Sequence, residues 1–183
     1  MTKLSQPQHQ RAWERGAEGE ERVAARLAKL LHGYGVDLLH DRRIPGTRAN
    51  IDHLAIGQGG VTVIDAKHYE GQVRSEARGG LLRPRTQHLL IGGRDQTRLV
   101  EGVKRQAALV LTALQHAGED VGVRAALCMA DAGGLPMLGH PSVDGIAVDG
   151  ARHIAKIARR PGSLSDHDVA RITASLAQSF PVA

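Results

Sequence analysis

Apolar residues recur at steps of three and four in residues 10–32 and 97–117, a spacing that predicts amphipathic helices. Residues 150–160 and 165–179 are also predicted to be helical, with Ser165 and Asp168 as an N-terminal capping pair. The apolar line of the first helix consists of Trp13, Ala17, Glu20, Ala24, Leu27 and Leu31. Because Glu20 lies on that line, we expect its carboxylate to face inward, either bonded to a nearby arginine or in a functional site.

Strands are predicted where short apolar runs lie between turn residues. The predicted strands are residues 36–44, 50–56, 61–67, 71–76, 80–91, 121–130 and 143–148, and the Gly- and Pro-rich residues 131–142 are predicted to form a loop. The strands at 50–56 and 61–67 are apolar on both faces, which is typical of central strands. The order of elements predicts an α/β fold with one mixed central sheet flanked by helices on both faces. We expect a single domain over residues 1–183, in which residues 143–179 pack on the same sheet.

Two acidic residues interrupt these apolar central strands. A loop at residues 57–60 joins the strands as a hairpin, and its register places Asp52 opposite Asp65. Directly opposed side chains have Cβ atoms about 4.5–5.5 Å apart, a distance at which two carboxylates repel each other. Lys67 lies on the same strand face as Asp65, because side chains alternate along a strand. A divalent cation would turn the repulsion into coordination, so the pattern indicates a metal site.

The positive charge of the chain is concentrated after this hairpin. Its net charge is +5, and residues 71–110 hold eight basic and three acidic residues, which accounts for all of it. Most of these basic residues are arginines, whose planar donor fork suits phosphate groups. One interpretation is a solvated basic surface, and the other is a face that binds nucleic acid. In the second interpretation the binding residues are Arg74, Arg78, Arg83, Arg85, Arg94 and Arg98.

The remaining composition excludes several classes of function. Aromatic residues make up only 2% of the chain, so stacking of bases on aromatic rings is not expected to drive binding. The single cysteine, Cys128, excludes an internal disulfide and a zinc site of several cysteines, and its apolar neighbours predict a buried, inert thiol. Residues 1–15 lack the apolar stretch of a secretory signal, and no run of about 18 apolar residues is present to span a membrane. A cytoplasmic protein is therefore expected.

The acidic pair, Lys67 and the arginine-rich segment together suit a phosphodiester hydrolase. Carboxylate oxygens favour Mg²⁺ or Mn²⁺ as the bound ion. Such an ion acidifies a water molecule that can attack phosphorus, and it neutralises charge on the phosphodiester. A lysine beside that water can orient it, while a basic surface holds the nucleic-acid backbone in place.

Four short segments, in order along the chain, resemble the nuclease-related domain (NERD) family of the PD-(D/E)XK nuclease superfamily. They are GAEGE at 16–20, NIDH at 50–53, VIDAKH at 63–68 and RQ at 105–106. Asp52, followed after twelve residues by Asp65-Ala66-Lys67, resembles the superfamily signature, and the resemblance covers about residues 12–130. It implies a restriction-endonuclease-like core and a metal-dependent nuclease activity.

The resemblance also implies a role for each matching residue. Lys67 would be the catalytic lysine, and Gln106 would be the polar residue that the second helix directs into the site. The metal ligands would be Asp52, Asp65, the carbonyl of Ala66 and Glu20. The family usually has Glu where this chain has Asp65, and the shorter side chain could shift the metal.

We therefore expect a Mg²⁺- or Mn²⁺-dependent nuclease that acts on DNA, and two alternatives stay open. In one, the same fold binds nucleic acid through its arginines without cleaving it. In the other, the fold serves only protein interaction. Lys67 could also be no more than an ion-pair partner of one aspartate, and Gln106 no more than a helix contact. One site per chain means that cutting both strands would require a homodimer or two encounters.

Overall fold

The structure, a computed structural model, describes residues 8–80 and 83–183 of the chain. The helices in these residues are α1 (Gln8–Leu31), α2 (Thr97–His116), α3 (Ala151–Ala158) and α4 (Asp166–Ser179). The strands are β1 (Asp37–Arg43), β2 (Asn50–Gly57), β3 (Gly60–Lys67), β4 (Val73–Gly80), β5 (Arg83–Ile91), β6 (Arg94–Asp95), β7 (Val123–Met129), β8 (Ser142–Val143) and β9 (Ile146–Gly150). No helix within these residues is long and apolar enough to cross a bilayer.

Six of the described strands form a mixed sheet in the order β1-β2-β3-β7-β9-β8. The pairs β1–β2, β2–β3 and β8–β9 are antiparallel, whereas β3–β7 and β7–β9 are parallel. Strand β3 lies in the middle of the sheet and is buried from Gly60 to Ala66, because both of its faces are apolar and covered. The predicted α/β fold with a mixed central sheet is confirmed.

Helices cover both faces of this sheet, as predicted. On one face, Val103 of α2 and Leu176 of α4 belong to the same buried cluster as Val63 of β3. On the other face, Val23 of α1 and Ile154 of α3 pack in a second cluster. Helix α4 begins at the predicted capping pair, where Ser165 and Asp168 form a reciprocal capping box.

The hairpin of β2 and β3 has the predicted register, with Ile56 paired with Val61. The strands extend one residue further than expected on each side, so that only Gln58 and Gly59 form the turn. Gly60 has φ of 109° and an added Cβ would lie 2.5 Å from a backbone oxygen of the loop before β7, so this position requires glycine. The turn therefore fixes which residues face each other further along the strands.

The arginine-bearing strands β4, β5 and β6 form a separate three-stranded antiparallel sheet. Strand β4 has one buried residue, Val73, and the remaining residues are exposed. A strand that is polar on both faces cannot lie in the middle of a sheet that is covered on both sides, which is why these strands leave the large sheet. Val73, Leu89 and Ile91 anchor the small sheet to the apolar cluster beneath α2.

The segment predicted as one strand at residues 143–148 is a hairpin of β8 and β9 instead. Asp144 and Gly145 have φ values of 49° and 78° and form its turn. Asp-Gly is a typical pair for a two-residue turn in which both residues have positive φ. The prediction of a single strand overlooked this turn signal.

Helix α1 is rotated relative to the predicted apolar line. Gly19, Val23, Leu27 and Leu31 are buried, whereas Glu20 is exposed, so the expectation that Glu20 faces inward is wrong. A Cβ on Gly19 would lie 3.3 Å from the Cβ of His68, so the helix comes closest to the sheet at the glycine. The side chains of Trp13 and Ala17 fall outside what the structure describes.

The C-terminal residues run along the outer edge of β1. The amide of Arg43 donates to the carbonyl of Pro181 at 2.8 Å, and the amide of Ala183 donates to the carbonyl of Asp41 at 3.1 Å. Arg42 and Val182 form a bridge between these two contacts. Strand β1 is thereby paired on both sides.

Candidate active site

The two acidic residues of the hairpin lie where β2 and β3 begin to separate. The main-chain pairing of the two strands ends at His53 and Ile64. One step further, the amide of Ala66 donates to Oδ2 of Asp52 at 2.8 Å, so a side-chain oxygen takes the place of a main-chain acceptor. This opening allows the carboxylates of Asp52 and Asp65 to lie side by side, as the hairpin register predicts.

Lys67 completes a compact cluster with these carboxylates. Its Nζ lies 2.5 Å from Oδ1 of Asp65 and 4.0 Å from Oδ2 of Asp52. The same Nζ donates to the carbonyl of Ala66 at 3.1 Å. The side chain of Asp65 is 7% exposed and that of Lys67 is 25% exposed, so the lysine forms the open side of the cluster.

Burial and crowding make Asp52 costly to ionise. Removal from water, together with the charge of Asp65, raises the pKa of Asp52 to about 8, and Lys67 only partly offsets these effects. Burial acts to lower the pKa of Lys67, but Asp65 and Asp52 outweigh it, so the net shift is upward. The lysine is therefore positively charged at neutral pH, while burial and the charge of Asp65 favour a proton on Asp52, which a cation could replace.

The donor set around this pair suits a hard divalent cation. Asp52, Asp65 and the carbonyl of Ala66 supply oxygen atoms, which Mg²⁺ and Mn²⁺ prefer. The structure also leaves Oε1 of Gln106 buried without a hydrogen-bond partner among the described residues. Two crowded carboxylates are difficult to explain as a stabilising feature, and a cation between them would remove their repulsion.

Gln106 of α2 lies near this region. It is half-buried, and its Nε2 lies 3.5 Å from the carbonyl of Asn50, two residues before Asp52. Helix α2 covers the sheet face that carries Asp52 and Asp65, so Gln106 and the acidic pair share that face.

Glu20 is exposed, yet it lies within the electrostatic reach of the cluster. Partial burial raises its pKa, and the charges of Asp41 and Asp65 act in the same direction, while Lys67 acts against them. Glu20 therefore stands at the open rim of the cluster.

Asp41 is an acidic residue of this region that the sequence analysis missed. The pairs formed by His40 with His53 and by Arg42 with Ile51 place Asp41 opposite Asp52, on the far side of β2 from Asp65. Asp41 has φ of 47°, and its Oδ1 accepts a hydrogen bond from Asn50 at 2.8 Å. Its position could have been predicted from the register between β1 and β2. That register depends on the conformation of the turn at residues 44–49.

The residues next to the acidic pair face away from the site. His53 lies on the opposite side of β2 from Asp52, and its ring contacts that of His40 with an Nδ1–Nδ1 distance of 2.9 Å. Burial lowers the pKa of His53 to about 3, so this ring is neutral.

Cys128 is buried as predicted, and burial raises the pKa of its thiol to about 12.

The arginines predicted to bind nucleic acid are spread over the small sheet and the start of α2. Arg74, Arg85, Arg94 and Arg98 are exposed, and the side chain of Arg83 is outside the described residues. Arg78 is exposed too, but it pairs with Glu76 at 3.0 Å and Asp95 at 3.4 Å. A groove of about 480 Å³ lies between the end of β3 and this sheet, lined by His68, Tyr69, Glu70, Ile91, Gly92, Arg94 and Gln96.

Comparison with known proteins agrees with this geometry. The profile of the family described as the nuclease-related domain, NERD, matches residues 15–130, which include most of α1, the β2–β3 hairpin, α2 and β7. No curated protein and no solved structure matches the chain. The family match covers more than half of the chain and contains the clustered residues from Glu20 to Gln106. The chain belongs to the nuclease-related domain family.

Proposed function

We propose that this protein is a Mg²⁺- or Mn²⁺-dependent nuclease that cleaves DNA. The observation that carries the proposal is the cluster of Asp52, Asp65 and Lys67, in which two carboxylates are held together at a cost in a sheet that is otherwise apolar. Such a cluster suits a nuclease-related domain, because phosphodiester hydrolysis requires a concentration of positive charge beside the scissile phosphate.

Asp52, Asp65 and the carbonyl of Ala66 would hold the cation, with Glu20 at the rim. When bound, the ion would supply positive charge to the phosphodiester and lower the pKa of a water molecule. Replacing the proton on Asp52 with a cation would remove the penalty that burial imposes on its carboxylate.

Lys67 would act as a fixed cation rather than as a base. Its raised pKa keeps the ammonium group protonated at neutral pH, because Asp65 and Asp52 stabilise the charge. The group has three N–H donors and lies at the open side of the cluster, so it can bind a phosphate oxygen or orient the attacking water.

The groove beyond β3 offers a path for the nucleic-acid backbone. It runs from His68, next to Lys67, to Arg94 of the small sheet. Exposed arginines on the small sheet and on α2 continue the positive surface. This arrangement supports a polyanionic substrate that passes the acidic cluster while its phosphates contact arginines.

The test is a cleavage assay with linear, circular and single-stranded DNA and with RNA, in the presence of Mg²⁺, Mn²⁺ or EDTA. We expect metal-dependent cleavage of DNA by the wild type and a loss of at least about 100-fold in Asp65→Asn and Lys67→Met. Asp120→Asn and Lys156→Met change the same residue types at exposed positions and should keep full activity. Full activity in both site variants would overturn the assignment of the site, and cleavage of RNA alone would overturn that of the substrate.

A second candidate is a module of the same fold that binds nucleic acid without cleaving it. The contact between Lys67 and Asp65 at 2.5 Å favours it, because the lysine already neutralises one carboxylate without a cation. This candidate predicts binding to DNA that weakens steeply with salt, with no cleavage in Mg²⁺ or Mn²⁺.

A further inference from the structure

A second cluster of metal-binding side chains lies outside the segment that matches the family. It consists of His140 in the loop before β8, Asp149 in β9 and His153 in α3. One potential ligand atom from each residue lies within 4.8 Å of the other two. Three separate elements thus converge on one point with two imidazole nitrogens and a carboxylate oxygen.

A hydrogen bond from the next backbone amide orients the carboxylate of Asp149 towards the histidines. Its Oδ1 accepts a hydrogen bond from the amide of Gly150 at 2.7 Å, and its Oδ2 lies 2.6 Å from Nδ1 of His140. The side chain of Asp149 is 13% exposed, so its position is fixed by the surrounding sheet. The pKa of the Cys128 thiol is raised chiefly by burial, and the negative charge of Asp149 raises it further.

The two histidines present their rings face to face. The ring centroids of His140 and His153 lie 3.6 Å apart, with an angle of 17° between the planes. Imidazole nitrogens are the commonest metal ligands in proteins, and the two rings bring theirs into one small region. His140 remains 59% exposed, which leaves room for an ion and a water molecule.

This cluster is separate from the proposed nuclease site. Ala66, Cys128 and Asp149 are neighbours in adjacent strands, so Asp149 is two strands, or about 10 Å, from Ala66. Asp65 points to the opposite face of the sheet because side chains alternate along β3. An ion held by Asp149 would therefore lie on the α1 and α3 side, away from the acidic pair.

We propose that His140, Asp149 and His153 bind one Zn²⁺ ion, and that this ion fixes the loop between β7 and β8 to the body of the protein. Two imidazoles and one carboxylate are a typical ligand set for zinc, with water in the fourth position. Mg²⁺ prefers sites made only of oxygen, so the chemistry of the ligands separates the two sites. His140 is the ligand on the loop side, while Asp149 and His153 belong to regular elements.

His140 lies near the end of the loop between β7 and β8, and the tip of this loop is apolar and exposed. Met137 and Leu138 are 101% and 91% exposed, and glycines flank this segment at 133, 134 and 139. Leu135, just before the tip, packs against the apolar cluster beneath α2, so a metal bond to His140 would hold the tip from its other end. The tip also provides cleavage sites for chymotrypsin, which makes the restriction measurable.

The test uses the full chain with any purification tag removed, stripped with a chelator and titrated with ZnCl₂ in the presence of millimolar Mg²⁺. We expect one equivalent of Zn²⁺ by calorimetry and by elemental analysis, and a loss of affinity of at least about tenfold in His140→Ala and His153→Ala. His116→Ala is the matched control, because His116 is an exposed histidine at the end of α2. Unchanged affinity in both site variants, or no uptake by the wild type, would overturn the site.

The role of the ion in the loop is tested separately by proteolysis. Zn²⁺ should slow chymotryptic cleavage after Met137 and Leu138 by at least about tenfold in the wild type but not in His140→Ala. His140 is exposed, so this variant should fold, which circular dichroism would verify. Binding of Zn²⁺ with no change in the cleavage rate would overturn the role in fixing the loop. Asp52→Asn should bind Zn²⁺ like the wild type, so this result does not depend on nuclease activity.

Discussion

Asp52 is a buried carboxylic acid whose ionisation lowers the stability of the folded protein. Its carboxylate has an ordinary pKa of 3.8, and burial together with Asp65 raises the value to about 8 in the folded protein. Between these two values the folded protein binds a proton that the unfolded chain has released. The free energy of unfolding therefore falls as the pH rises through this window.

The first prediction follows from this pH dependence. In EDTA, we expect the free energy of unfolding of Asp52→Asn to exceed that of the wild type by more than about 1 kcal/mol at pH 8.5. At pH 3 the difference should shrink below about 0.5 kcal/mol, because Asp52 is then protonated in both the folded and the unfolded wild type. Urea unfolding across this range, followed by circular dichroism, measures the difference.

Two additions sharpen this experiment. Asp120→Asn removes an exposed carboxylate from the loop before β7 and should follow the wild type at every pH. Mg²⁺ should stabilise the wild type at pH 8.5 more than Asp52→Asn, since a ligand stabilises the state that binds it. Parallel pH profiles for wild type and Asp52→Asn would show that Asp52 is not the group responsible.

The acidic pair could be predicted from the sequence because both strands and their turn are local. A short loop fixes the register, and the register fixes which residues lie opposite each other. The positions of Glu20 and Asp41 depend on contacts between residues that are further apart in the sequence. The rotation of α1 is set by the close approach of Gly19 to His68, and the partner of Asp41 is set by pairing across a six-residue connection.

At the level of elements, the small sheet of β4, β5 and β6 separates positive charge from the apolar core. Its buried residues anchor it beneath α2, while the guanidinium groups of Arg85 and Arg94 are exposed and form no hydrogen bond with another described residue. Arg78 is held by Glu76 and Asp95, so part of its charge is already balanced. The unpaired arginines are therefore the stronger candidates for contact with phosphate.

The second prediction concerns these unpaired arginines. Arg85→Gln and Arg94→Gln should each weaken binding to double-stranded DNA in EDTA and reduce the slope of log affinity against log salt by about 0.9 per lost phosphate contact. Arg152→Gln on α3 is the matched control, because Arg152 is exposed on the opposite face of the large sheet. Fluorescence anisotropy at several salt concentrations measures both quantities, and equal slopes in all variants would exclude the small sheet as the binding surface.

The sequence predicted strands at 71–76 and 80–91, where β4 and β5 lie, but did not separate them from the large sheet. Alternation along a strand reveals whether it has a buried face, whereas the choice of neighbouring strand depends on tertiary packing. The Asp144-Gly145 turn is a different case, because its signal is present in the sequence and was overlooked.

At the scale of the whole molecule, the residues beyond the family match complete both cores. Ile154 of α3 packs in the cluster beneath α1, and Ile172 of α4 packs in the cluster beneath α2. Both side chains are almost fully buried. Strand β9 pairs directly with β7, the last strand of the matched segment. We therefore propose that residues 131–183 fold with the matched segment as one unit.

The third prediction tests that unit. Ile154→Ala and Ile172→Ala should each lower the free energy of unfolding by about 2–5 kcal/mol, since each leaves a cavity in one of the cores. Both variants should still unfold in a single transition, because the two cores share the same sheet. Lys156→Ala, on the exposed side of α3, should change the value by less than about 0.5 kcal/mol. A separate transition that contains only the C-terminal helices would contradict the single unit.

The pairing of residues 181–183 with β1 has a consequence for self-association. An outermost strand with free amides and carbonyls is a template on which a second chain can add, and repeated addition yields fibres. Here the groups of Asp41 and Arg43 are already occupied by the same chain. Along residues 41–43, the same chain therefore occupies the position that a strand of a second copy would need, which limits strand addition on this part of the edge.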